Sequence, residues 1–289
     1  MYAKDRRLYV GRTMVIGEFD CPVSAVDFTD TGAVGGYLLA FPRTAVGIRH
    51  ADCPDTLVAD TNVGTIYNDG QEYQRYRISD YGDRCDWMSF GADSVAEVLH
   101  DVGQRHRGDP ARLFDVRAGM SSPEVYLAMR RLVSTLAAAR RCNPLAAEEQ
   151  ALTILRNVVA AAYARVPTSE STARPATVRR HAALARRAQR VLADIYVERV
   201  SLEALAATLD VSAYHLCRVF RRETGSSIYA YVGQLRLREG LAALATPGAD
   251  LAQISVELGF ADHSHFTRRF RSSFRATPSA IRAQLRARA

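Results

Sequence analysis

Two short amphipathic helices, set about 50 residues apart near the end of the chain, constrain its fold more than any other feature. In the second, Asp262 can accept the free backbone N–H groups of a first helical turn. Phe266, Phe270 and Phe274 recur every four residues and so share one buried face. Ser264, Thr267, Arg268 and Arg271 form another face, of hydroxyls and guanidiniums, with no acid after the cap. The first copy runs from the cap Ser212 through Ala213–Thr224 to Gly225. It turns Leu216, Val219 and Phe220 inward and Tyr214, Cys217, Arg218, Arg221 and Arg222 outward. A shorter helix precedes each copy: Leu202–Leu209, capped by Ser201, and Leu251–Leu258, followed by Gly259. Helix-turn-helix therefore occurs twice. Ile228–Leu244, ended before Pro247, joins the copies. At 1.5 Å per residue it spans about 25 Å, enough to hold two helices for successive major-groove faces about 34 Å apart. Arg pairs bidentately with guanine, and Ser or Thr contacts bases or phosphates. An ordinary amphipathic surface helix would show the same apolar stripe, but not the duplication.

Charge sharpens the contrast. From Arg174 to Ala289 there are 19 Arg, no Lys and 9 acids, a net +10, whereas the preceding residues hold 19 bases and 22 acids, a net −3. A basic region beside a mildly acidic one points to a polyanion, most simply nucleic acid. A membrane surface is the rival, but no apolar run approaches the roughly 20 residues of a spanning helix. Lys4, Asp5, Arg6 and Arg7 replace any apolar signal-peptide core, so the expected location is the cytoplasm, with no membrane partner. The five cysteines, Cys21, Cys53, Cys85, Cys142 and Cys217, include no C-x-x-C pair. Neither a disulfide framework nor a structural zinc site is suggested.

Residues 1 to 92 read as β. Strand-like runs occur at Thr13–Phe19, Tyr37–Phe41, Ala45–Ile48, Gly64–Tyr67, Tyr73–Ile78 and Asp86–Phe90. Asn68-Asp69-Gly70 suits a hairpin turn. Many short strands at this spacing suggest a small barrel or sandwich. Tyr37, Tyr67, Tyr73, Tyr76 and Trp87 are the candidates to line a cavity, with ordinary packing as the alternative for each. His50 and Asp52 stand close together, but no H-x-H pair accompanies them, so no metal or other cofactor is expected. Helices follow at Asp93–Val102, after Ser121-Ser122-Pro123-Glu124, and after Asn143-Pro144. Their stripes, Val125, Met129, Leu132, Val133 and Leu136, then Leu152, Leu155, Val158, Val159 and Ala162, either cover the barrel or form a subunit interface. Pro167 to Pro175 is rich in Ser, Thr and Ala and reads as a linker. The expected domains are 1–166, the linker 167–175, and 176–289.

The C-terminal pattern resembles the AraC/XylS family of bacterial transcription regulators. The resemblance is carried by Ser201-Leu202-x-x-Leu205-Ala206, then Val211-Ser212-x-x-His215-Leu216-x-Arg218-x-Phe220-x-x-x-x-Gly225. It continues through Tyr231, Leu235-Arg236-Leu237, Ile254, Gly259-Phe260, Ser264-x-Phe266-x-Arg268-x-Phe270 and Thr277-Pro278-Ser279-x-x-Arg282. It covers Val178 to Arg282. The β part with its paired helices resembles, by architecture, the family's cupin-like effector and dimerisation domain. The implied fold is α+β: an N-terminal cupin-like β-barrel with paired helices, followed by an all-α domain with two helix-turn-helix motifs.

The resemblance implies base reading by Tyr214, Cys217 and Arg218 in the first motif and by His263, Ser264, His265, Thr267 and Arg268 in the second. Arg221, Arg222 and Arg271 suit phosphates, which position without specifying. Two positions depart from the family pattern: Gly240 where the connector usually has Ala, and Arg275 where a helix-ending Gly is usual. The expected partners are double-stranded DNA, a small-molecule effector in the barrel, RNA polymerase if the protein activates, and a second copy through helices within 124–166. A cysteine-based redox or electrophile sensor, with Cys53, Cys85 or Cys217 responding, is the alternative. A cupin-type enzyme is a third reading, but no nucleophile–base pattern, phosphate-cradling loop or metal-ligand spacing supports it.

Overall fold

Strands alternating in two faces, then helices with single apolar stripes, produce two units. The computed structural model describes residues 2–104, 112–138, 143–165, 175–246 and 248–286. The chain divides into Met1–Val166 with Ala283–Ala289, and Pro167–Arg282. The expected linker, apart from Pro175, lies outside the described residues, as do Cys142 and Pro247.

In the first unit the strands are β1 Lys4–Val10, β2 Met14–Cys21, β3 Asp30–Ala33, β4 Tyr37–Pro42, β5 Val46–His50, β6 Leu57–Ala59, β7 Val63–Tyr67, β8 Glu72–Arg77, β9 Asp83–Phe90 and β10 Ala118–Met120. They form a six-stranded sheet, β1-β2-β9-β4-β7-β10, and a four-stranded sheet, β3-β8-β5-β6. Pairing is antiparallel throughout. Gly17, Trp87 and Ala40 stand side by side on the face turned to the other sheet, while Ile16, Met88 and Leu39 stand side by side on the opposite face. Both sets are buried because helices cover the outer face. These are α1 Ala92–Asp101, α2 Pro123–Ala138 and α3 Pro144–Tyr163. The apolar stripes of α2 and α3 are thus used within the chain. Burial on both faces explains why β4 and β7 read as nearly continuous apolar runs.

Two ion pairs fix the layers. Arg130 of α2 bonds the fully buried Asp86 of β9. Arg75 of β8 donates through Nε to Asp83 of β9 at 2.6 Å, joining the two sheets.

The second unit is helical: α4 Pro175–Ile195, α5 Leu202–Thr208, α6 Ala213–Thr224, α7 Ile228–Ala243, α8 Leu251–Glu257, α9 His263–Phe274 and the first part of α10 Pro278–Arg286. Side-chain caps open six of them: Ser201, Ser212, Ser227, Asp250, Asp262 and Thr277 each accept a backbone N–H at 2.7–3.3 Å. α7 is buried on several sides, against α6, α8 and α9, and so has no single apolar stripe. Its Arg236 clamps three carbonyls at 2.6 Å each: Tyr196, Glu198 and Gly259. The core continues along α9, where Phe266–Phe270 and Phe270–Phe274 pack at centroid distances of 5.4 and 4.7 Å.

Candidate nucleic-acid interface and barrel cavity

α9 is aromatic inward and polar outward, as its spacing requires. His263, Ser264, Thr267, Arg268 and Arg271 line an open groove of about 680 Å³ together with Ser272, Arg275 and Thr277. No acid lines it. Arg268, Arg271 and Arg275 are exposed and take part in no ion pair among the described residues. His265 is not in the groove: its ring packs edge-on against Phe260 at 5.5 Å. Arg269 turns the other way and lies over the Tyr229 ring of α7 at 5.4 Å. It braces α9.

α6 presents Tyr214, Cys217, Arg218 and Arg221 as an exposed row. Tyr214 is 80% exposed, which no packing role in this unit explains. Arg222 is less free than the outward spacing implies. Its Nη2 bonds Glu223 at 2.6 Å and also meets the His181 ring of α4. A phosphate contact by Arg222 would have to compete with both.

Between the two sheets lies a cavity of about 240 Å³. Its walls include Phe19, Leu38, Ala40, Val46, Ile48, Tyr67, Tyr73, Cys85 and Trp87, with Asp5, Arg7 and Asp83 as charged members. Tyr67 and Trp87 are therefore lining residues. Tyr37 and Tyr76 are not, and the two-residue period of a strand is the reason. Leu38 and Ala40 face the cavity, so Tyr37 faces the helices, where it packs edge-on against Phe114 at 5.9 Å. Tyr73 and Arg75 point inward, so Tyr76 points outward, bonds Gln74 at 3.0 Å and lies under the Arg49 guanidinium. Trp87 has room because its neighbour is Gly17, where a Cβ would stand 2.6 Å from the indole. Its Nε1–H donates to Asp5 at 2.9 Å. Burial nevertheless raises the Asp5 carboxyl above its ordinary pKa.

Behind Tyr67, His50 stacks at 4.8 Å. Burial, helped by the Arg117 charge, lowers its pKa to about 4. Its neighbour Asp52 is held by Arg112 and Arg117. Among the described residues no group of three or more His, Cys, Asp or Glu is placed to hold a metal ion. Burial raises the Cys85 thiol far above its ordinary pKa and takes Cys21 to about 11. Such thiols are mostly protonated and weakly nucleophilic. Cys53 is half-buried and Cys217 exposed.

Residues 205–284 match the domain family described as "Helix-turn-helix domain". Over 97 residues the chain is 28% identical to the Msm operon regulatory protein of Streptococcus mutans, covering 34% of this chain and 35% of that protein. Over 83 residues it is 34% identical to the Right origin-binding protein of Escherichia coli, covering 29% of each. The C-terminal region is an AraC-type helix-turn-helix domain. A solved AraC-type transcriptional regulator from Chromobacterium violaceum aligns at 28% identity and a TM-score of 0.33, over 38% of this chain and 96% of that one. The chain spans about a third of the length of the curated relatives it matches.

Within the AraC-type domain the paired motifs are α5–α6 and α8–α9, joined by α7. The spacing of the sequence located both second helices and their caps. It missed Ser272, Arg275 and Thr277 as groove residues. The signal for Ser272 was present, since it lies one turn beyond Arg268. Arg275 and Thr277 lie beyond the helix, and helical spacing says nothing about them.

Proposed function

We propose that this chain is a transcription regulator that binds double-stranded DNA through α6 and α9 and responds to a small molecule held in the barrel cavity. The observation that supports the DNA reading most is the outer face of α9: guanidiniums and hydroxyls around a groove without an acid. In this reading His263, Ser264, Thr267 and Arg268 read bases with Tyr214, Cys217 and Arg218. His265 supports α9 through Phe260, and Arg221 and Arg271 meet phosphates. The cavity is a little below the roughly 300–1,000 Å³ of common ligand sites, so the effector is small. It is largely apolar to match the walls and in contact with Tyr67 and Trp87.

The effector acts only through unequal affinity for two arrangements of the protein. Two copies bind together in the cytoplasm, and RNA polymerase is the further partner where the protein activates. Because the apolar stripes of α2 and α3 face inward, a dimer through 124–166 uses outer residues such as Leu145, which is 73% exposed. No helix among the described residues is long and apolar enough to cross a membrane.

The test is selection of genomic DNA fragments by the purified full-length protein, with and without candidate metabolites of the source cell. The expected result is a shared sequence with two half-sites. Fragments recovered without any common sequence would contradict a sequence-specific regulator.

A further inference from the structure

The two second helices, α6 and α9, are each 12 residues long, and each ends in a left-handed residue. For α6 that residue is Gly225, at φ 69° and ψ 6°. For α9 it is Arg275, at φ 57° and ψ 12°. Glycine takes this conformation freely, whereas a side chain brings Cβ too close to the following carbonyl oxygen. The chain thus carries strain at the end of α9 that it avoids at the same place in α6. Arg275 and Asp210 are the two non-glycine residues with positive φ among those described. Asp has a short side chain that tolerates the left-handed region, and Arg does not.

The left-handed residue ends the helix, but among the described residues the Arg275 side chain itself is exposed and makes no hydrogen bond or ion pair that would offset the strain. It does line the acid-free groove of α9, with Arg268, Arg271 and Thr277. Thr277 caps the next helix, donating no charge but fixing the chain where it leaves the groove. A cation held at the rim of a groove already rich in cations is unfavourable alone and becomes favourable when a polyanion arrives.

We infer that Arg275 is a DNA-backbone contact: the strained left-handed end of α9 sets its guanidinium against a phosphate beside the bases that α9 reads. The inference rests on the DNA-binding reading proposed above. It makes the second motif the more strongly anchored of the two. In α6 the corresponding residue is a glycine with no side chain, and Arg222 is engaged by Glu223 and His181. Phosphate contacts position the protein and do not specify sequence, so Arg275 adds affinity for any duplex.

The experiment uses the full chain with Arg275→Gly, Arg275→Asn and Arg275→Lys, a random-sequence 30-base-pair duplex, and the salt dependence of binding. Gly and Asn both suit the left-handed position without a charge. Each should raise the thermal midpoint, by about 2–4 °C for Gly. Each should also weaken binding at 0.1 M salt by roughly fivefold to tenfold and lower the slope of log K against log salt by about 0.9, the value for one phosphate. Arg275→Lys keeps the charge and should keep most of the slope. Gly and Asn variants that are more stable but bind with the parent's slope would overturn the inference alone. A parent chain that binds no DNA would overturn the DNA reading and this inference with it.

Discussion

Position 240 sets local propensity against packing. A glycine in mid-helix costs about 0.5–1 kcal/mol relative to alanine, yet Gly240 sits within α7. The reason lies across the interface. A Cβ there would stand 2.9 Å from Cε2 of Phe266 and 3.2 Å from Leu258. Gly240 is what lets α7 and α9 approach closely enough to bury Phe266. We therefore expect Gly240→Ala to destabilise the domain by about 1 kcal/mol or more, since overpacking typically costs 1–3 kcal/mol. Urea unfolding measures this, and a gain of stability would show that the Phe266 ring yields freely. Sequence reading recognises such a glycine as unusual but not as necessary, because its neighbour is 26 positions away. Caps are the opposite case. Ser212 and Asp262 act on N–H groups three residues ahead, and the sequence alone located them. The cavity residues fall between. Trp87 and Tyr67 face inward while Tyr37 and Tyr76 do not, a distinction that follows from strand parity once one inward residue on each strand is known.

At the scale of elements, helices were legible and short strands were not. α6 and α9 match their spacing from end to end because one apolar face and two strong termini define each. β1 was missed because Lys4, Asp5, Arg6 and Arg7 lie on it. It is an edge strand, and charge on an edge guards against pairing with other chains. β3, β6 and β10 have three or four residues, too few for a period to show. α10 begins at Pro278, where only a motif and no apolar spacing drew notice. What holds the elements in place is partly a single side chain. Arg236 binds the carbonyls of Tyr196 and Glu198, just before the first motif, and of Gly259, in the turn of the second. Hydrogen bonds to charged groups contribute about 1.5–3 kcal/mol each when well buried, and Arg236 is half-exposed. Arg236→Ala should therefore cost roughly 2 kcal/mol in all. Arg236→Lys should recover only part of it, because one ammonium cannot span three separated carbonyls. Full recovery by lysine in a denaturant titration would show that charge alone matters there.

For the whole molecule, the division of labour was visible as an uneven charge: the basic residues in excess belong to the helical region, the acidic excess to the β region. That imbalance, together with the duplicated motif, carried the functional reading further than any single residue. The cavity between the sheets was not legible in this way, because it is made by strand parity and sheet pairing rather than by a run of sequence. We propose that the AraC-type domain reads DNA through the outer faces of α6 and α9. The most direct test is binding of full-length Arg268→Ala and Arg218→Ala proteins to the selected site and to random duplex at fixed salt. The expected result is a loss of about 1–3 kcal/mol at the selected site with relaxed preference at the bases each arginine contacts, and a much smaller loss on random DNA. If both variants bind selected and random duplexes as the parent does, α6 and α9 are not the reading helices.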